Sequence, residues 1–145
     1  MKQVIDIFDG EFAFLSNFHE SPCEFEGIVY PTVEHAFQAA KTLCILTREE
    51  IAAADTPGKA KRMGRRVQLR EDWELVKTDV MRECLKSKFS HPVLKMQLLA
   101  TKDATLIEGT TWHDRCWGIC TCPECKGAGE NRMGKLLMEL REELK

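Results

Sequence analysis

Residues 30–41 read YPTVEHAFQAAK, and the chain changes character within them. Pro31 fixes an extended entry, and Thr32 is placed to cap a helix with its hydroxyl. At about 100° per residue, Val33, Ala36, Phe37, Ala40 and Cys44 form one apolar arc, while Glu34, Gln38 and Lys41 share a stripe along its edge. His35 points elsewhere. Glu34 and Lys41 are far enough apart, about 10 Å along a helix axis, to grip a ligand laid along the helix instead of each other. A solvated edge of an amphipathic helix is the alternative for both charges.

Upstream of this stretch the signals are those of short strands. Val4–Phe8 alternates apolar and polar residues, and Cys23–Tyr30 has the β-branched and aromatic content of a hairpin turning at Glu26-Gly27. Downstream they are helical. Thr47 with Glu50 makes a capping-box pattern, and Thr56-Pro57 opens TPGKAKRMGRR with proline at the first helical position. Trp73, Val76, Val80 and Cys84 recur at helical spacing, Pro92–Thr101 suggests a further helix, and Met133, Leu136, Leu137, Leu140 and Leu144 make the apolar stripe of a last one. With no repeat and no linker, the expectation is one mainly α domain over residues 1–145 with a few short β-strands.

Of the 145 residues, 43% are hydrophobic and 30% charged, an ordinary globular composition, and the formal net charge is -2. Such a balance gives no general attraction to nucleic acid, so any phosphate must be met by a local basic patch. No stretch approaches the roughly 18 apolar residues of a membrane span. Four of the seven cysteines crowd between Cys116 and Cys125, a pattern of reduced thiols or metal ligands more than of a disulfide framework. A soluble, cytoplasmic protein with no membrane partner is expected.

Five stretches occur in order along the chain: FAFLSNF (Phe12–Phe18), YPTVEHAFQAAK, TPGKAKRMGRRVQLREDW (Thr56–Trp73), EGTTWHDRCWG (Glu108–Gly118) and NRMGKLLMELR (Asn131–Arg141). Together they resemble the YbiA-like family, also called NADAR domains, over essentially the whole chain. The resemblance implies a compact, mainly helical fold and N-glycosidase activity on ribosides. The substrates it implies are phosphoribosylamino-pyrimidine intermediates of riboflavin synthesis or ADP-ribosylated guanine, the latter free or in modified nucleic acid. It implies no required cofactor, and a lysine-imine route with Lys41 as the lysine of the matching motif.

The residue types suit that chemistry. Breaking a ribosyl C1′–N bond develops positive charge at C1′, so a nucleophile or stabiliser is needed there and an acid at the departing nitrogen. Lys41 is the candidate nucleophile, provided burial or a neighbouring cation lowers its pKa, and Glu34 the candidate proton shuttle. Asn17, set among Phe14, Leu15 and Phe18, can offer its amide to a ribose hydroxyl or phosphate, or simply form a turn. Gln38 belongs to the same stripe as the catalytic pair. Trp112 and Trp117 offer stacking faces, one of them expected to be core only, and Asp114 can accept a hydrogen bond from sugar or base. Lys59, Lys61, Arg62, Arg65 and Arg66 cannot share one helix face, so one or two are left to hold phosphate, with Arg62 the candidate. The amino end of the last helix is a second anion candidate, and Asn131 can contact ligand there or cap the helix.

Cys120-x-Cys122-x-x-Cys125 brings three thiolates close enough to hold a structural zinc, with Cys116 or His113 as the fourth ligand; plain reduced cysteines are the alternative. Two other functional classes compete with the hydrolase. One is an ADP-ribose or nucleotide sensor without catalysis, and the other a zinc-stapled interaction module.

Overall fold

The computed structural model describes residues 2–145. In chain order the elements are β1 (Val4–Ile5), a 3₁₀ helix (Gly10–Leu15), β2 (Cys23–Phe25), β3 (Ile28–Tyr30), α1 (Val33–Ala39), α2 (Ile45–Ala52) and α3 (Pro57–Gly64), then α4 (Trp73–Lys88), α5 (Pro92–Leu99), β4 (Thr105–Leu106), β5 (Gly109–Thr110), β6 (Ile119–Cys120) and α6 (Arg132–Glu143). The fold is mainly helical with a few short strands. Its residues fall into two compact units, one from Asn17–His91 and the other from the chain up to Ser16 together with Pro92–Lys145.

The first unit is built around α1. Thr32 caps it as its sequence requires, Oγ1 accepting the His35 N–H at 3.1 Å. Helices α2, α3 and α4 and both strands of the hairpin pack against it, so Val33 to Ala40 are all buried. In the hairpin Cys23 pairs with Tyr30 and Phe25 with Ile28. The Phe37 ring meets Trp73 at 5.1 Å between centroids, and Val80, Met81, Cys84 and Leu85 supply the buried stripe of α4.

Two helix boundaries differ from the sequence pattern. Helix α2 starts at Ile45, so Thr47 lies inside it and caps nothing. Arg48 closes the first turn instead, its N–H donating to Cys44 O at 3.0 Å and its Nε to Thr42 O at 2.8 Å. Helix α1 ends at Ala39 because Lys41 and Thr42 donate to the carbonyls of Gln38 and Ala39 at 3.2 Å each, tightening the last turn. Lys41 therefore stands in the turn after the helix.

In the second unit β1 runs parallel to β4, pairing Val4 with Thr105 and Ile5 with Leu106, so the strand expected over Val4–Phe8 is shorter than its alternation suggested. Helix α6 packs on β4, and α5 on the 3₁₀ helix. Strand β5 pairs parallel with β6.

The crossing of α3 over α1 depends on Gly64, where an added Cβ would strike the Gln38 side chain at Oε1, Cδ and Cβ. Gly64→Ala is expected to lose about 1–3 kcal/mol through overpacking. Urea unfolding of the variant against wild type measures this, and an unchanged midpoint would mean that the helices do not rely on the glycine.

Candidate functional site

Burying α1 on every side takes polar residues inside with it. Glu34, His35 and Gln38 are 8%, 1% and 5% exposed, and each burial has to be answered by a partner or a shift in charge. His35 is answered fully, with Nδ1 2.8 Å from Thr32 Oγ1 and Nε2 3.0 Å from Ala54 O. It is a structural histidine. Glu34 accepts a hydrogen bond from Gln38 Nε2 at 2.8 Å. Burial still pushes its carboxyl above the usual range, against the Gln38 bond and the positive charge of Lys61 and Lys41.

Lys41 moves the other way. Burial lowers its pKa, the Glu34 carboxylate opposes that, and the cations of Arg65 and Lys61 add to the fall. The backbone around it is fixed, because Lys41 O accepts the Arg70 N–H at 2.8 Å. The result is an acid that holds its proton longer than usual beside an amine that gives its proton up sooner, which is how acid–base chemistry is prepared near neutral pH.

Asn17 lies against the start of the same helix, its carbonyl accepting the Glu34 N–H at 3.1 Å and its Nδ2 directed at Met81 Sδ at 3.8 Å. Two buried acceptors, Asn17 Oδ1 and Gln38 Oε1, find no donor among the described residues. An unanswered buried carbonyl is costly, and both lie on residues that the sequence had marked for the ligand.

The charge of Lys61 reaches both Glu34 and Lys41, and that of Arg65 reaches Lys41; Arg62 and Arg65 are both exposed.

The other predicted residues belong to the second unit. Trp112 is 58% exposed and Trp117 half-buried, so neither is the expected core tryptophan; that role falls to Trp73. Asp114 organises its own loop, Oδ1 accepting the N–H groups of Cys116 and Trp117 at 3.1 and 2.9 Å. Asn131 acts as a clip: Oδ1 accepts the Glu108 N–H at 3.0 Å and Nδ2 donates to Leu106 O at 2.9 Å. It stands at the start of α6 with φ 51° and gives that helix no side-chain cap. Nor is the amino end of α6 an open anion site, because the N–H groups of residues 130–133 donate to the carbonyls of Arg115, Gly118, Cys116 and Trp117. Gly134 completes the fit, since a Cβ there would strike Leu106 O and the Asn131 amide.

His113, Cys120, Cys122 and Cys125 each bring a ligand atom to within 4.8 Å of the others, a group able to hold a metal ion. Of the two candidates for a fourth member, His113 is in the group and Cys116 is not. Within the group Cys120 is drawn down to about 7: burial opposes this, and hydrogen bonds from the backbone of Cys122 and His113 and from the neighbouring thiols outweigh it. Burial and the thiols of Cys122 and Cys120 push Cys125 up to about 11.

The chain belongs to the NADAR domain family, whose model matches residues 7–145. It is 45% identical over 137 residues to the N-glycosidase YbiA of Escherichia coli K12, a match covering 92% of this chain and 82% of the relative. An N-glycosidase of Nostoc punctiforme is 40% identical over 138 residues, covering 90% of this chain and 84% of that one. A maize chloroplastic riboflavin biosynthesis protein is 39% identical over 128 residues, but the match covers only 20% of its length. The NMR structure of Escherichia coli YbiA superposes with a TM-score of 0.83 at 43% identity, over 99% of this chain and 86% of that one. Among the described residues no helix is long and apolar enough to cross a membrane.

The raised pKa of Glu34 fixes the sign of a stability effect. Its folded-state pKa lies above the unfolded value, so the wild type loses stability as pH rises from the ordinary carboxylate range through the folded pKa. Glu34→Gln has no such loss. Denaturant midpoints measured from pH 4 upward should coincide at the acid end and favour the variant near neutrality; a wild type that gains on the variant as pH rises would reverse the assignment.

Proposed function

We propose that this N-glycoside hydrolase cleaves the C1′–N bond of a phosphorylated riboside through an imine on Lys41, with Glu34 moving the protons. The observation that carries the reading is the pairing on and just after α1 of a buried carboxyl with raised pKa and an amine with lowered pKa. Neutral Lys41 Nζ bonds to C1′ as the C1′–N bond breaks. The bond's electron pair goes to the leaving nitrogen, which takes the Glu34 proton. The Glu34 carboxylate then takes a proton from the new ammonium and returns it to the ring oxygen O4′, which keeps the electron pair of the C1′–O4′ bond as the nitrogen lone pair forms the imine; water adds to C1′ of the imine and releases free sugar and the Lys41 amine. Gln38 holds the Glu34 carboxyl in place, and the unanswered carbonyls of Asn17 and Gln38 suit ribose hydroxyls. Side chains alone carry these steps, and the cysteine–histidine group has no part in them.

Lys61 and Arg65 supply the charge that would receive the phosphate. The substrate class includes riboflavin-pathway phosphoribosylamino-pyrimidines and ADP-ribosylated guanine, both of which present a phosphorylated ribose on nitrogen, and a cytoplasmic setting accords with either.

The test is a panel of paired phosphorylated and unphosphorylated ribosides, with released base and sugar identified by mass spectrometry. A charge-assisted contact is worth about 1.5–3 kcal/mol, so kcat/KM should favour the phosphorylated member at least about tenfold, less at high salt. Lys61→Ala and Arg65→Ala should shrink the preference and Arg62→Ala leave it. Equal rates on both members would remove phosphate from the reading, and binding without release of base would make the protein a sensor.

The pH dependence is a separate check. Because kcat/KM reports the free enzyme, its profile should be bell-shaped, with limbs closer together than ordinary glutamate and lysine pKa values. Glu34→Gln should cut the rate by roughly 10²–10⁴ and leave activity that rises with pH as Lys41 loses its proton. A variant that keeps the falling limb would deny Glu34 the acid's role.

A further inference from the structure

From Thr111 to Glu130 the buried residues are Gly118, Cys120 and Cys125. Twenty residues with so little buried apolar surface cannot order themselves by hydrophobic packing alone. The segment nevertheless holds left-handed backbone at two residues with side chains, His113 (φ 67°) and Lys126 (φ 52°), a conformation that persists only where the surroundings impose it.

What the segment has in place of a core is the convergence of His113, Cys120, Cys122 and Cys125. His113 Nδ1 lies 3.4 Å from both Cys122 Sγ and Cys125 Sγ. Tetrahedral zinc, with bonds of about 2.3 Å to sulfur and about 2.0 Å to nitrogen, separates neighbouring S and N ligands by about 3.5 Å. The sulfurs are also dressed as thiolates would be: the His113 N–H donates to Cys120 Sγ at 3.3 Å and the Cys125 N–H to Cys122 Sγ at 3.4 Å. A turn closes around them, with Lys126 N–H on Cys122 O at 2.9 Å and Gly127 N–H on Cys120 O at 2.8 Å. Three sulfurs with one imidazole nitrogen are a structural zinc set.

We infer that His113, Cys120, Cys122 and Cys125 bind one zinc ion, which staples the segment between β5 and α6 and fixes the Trp112–Trp117 loop. His113 is the fourth ligand, and Cys116 is not one. All four positions are taken by protein, so the ion is closed to substrate and structural in role.

The test uses the full chain, expressed with zinc in the medium and purified under reducing conditions without chelator. Elemental analysis should give about one zinc per chain, retained in Cys116→Ser and lost in the Cys122→Ser, Cys125→Ser double variant. Cobalt substituted for zinc should show the intense absorption of a tetrahedral thiolate site. Should the double variant not fold, alkylation of the wild type decides the matter: Cys120, Cys122 and Cys125 should be protected until a chelator is added, while exposed Cys44 reacts throughout. Folded protein without zinc, a disulfide within the group, or equal alkylation with and without chelator would overturn the assignment, and zinc lost from Cys116→Ser would overturn the ligand set.

Discussion

The constraint on which the Asn17–His91 unit depends is the burial of α1 on all sides. A helix with an apolar arc alone could sink one face and leave its edge in water. Here α2, α3, α4 and the hairpin enclose it, so the edge that carries Glu34 and Gln38 is enclosed as well. Burial of that edge is what gives Glu34 its reluctant proton and, two turns on, Lys41 its weakened hold on its own. The opposite shifts in proton affinity of the two groups are thus a consequence of packing. Gly64 belongs to the same arrangement, because only a residue without a side chain lets α3 settle against Gln38 and bring Lys61 and Arg65 with it.

The second unit solves a different problem. Helix α6 has a strong apolar stripe, but its amino end and the strand it covers must be joined by backbone hydrogen bonds. Asn131 does this, bonding Leu106 and Glu108 through one amide, and the carbonyls of residues 115–118 meet the N–H groups that begin the helix. The asparagine, arginine, methionine and glycine of residues 131–134 therefore read as an architectural joint. The loop feeding that joint is poor in apolar residues and rich in thiols, so its order is of the kind a metal supplies.

Much of this was legible in the sequence because it rests on local rules. Proline and threonine mark the starts of α1 and α3, and the periodic apolar residues of α4 and α6 are unmistakable. The Glu34, Gln38, Lys41 stripe was also visible, since it follows from helical spacing. What could not be read was tertiary. Nothing in the local pattern of Thr47 says that Arg48 will clamp Thr42 and start the helix early. Nor does composition say that Asp114 and Asn131 will spend their polar groups on backbone, or that His113 and not Cys116 will turn toward the other cysteines. Arg62 was preferred for its chemistry, and which of its neighbouring cations acts on Glu34 and Lys41 depends on how α3 packs against α1.

The central claim is that Lys41 becomes covalently attached to the sugar, and trapping tests it most directly. Borohydride added during turnover of a phosphorylated riboside would reduce an imine to a stable amine. Peptide mapping should then find the mass of the reduced sugar phosphate on Lys41, with no adduct in Lys41→Ala, whose fold and thermal stability should be close to wild type because a half-buried amine in a turn adds little packing. Steady hydrolysis with no adduct at Lys41, or full activity in Lys41→Ala, would contradict the account.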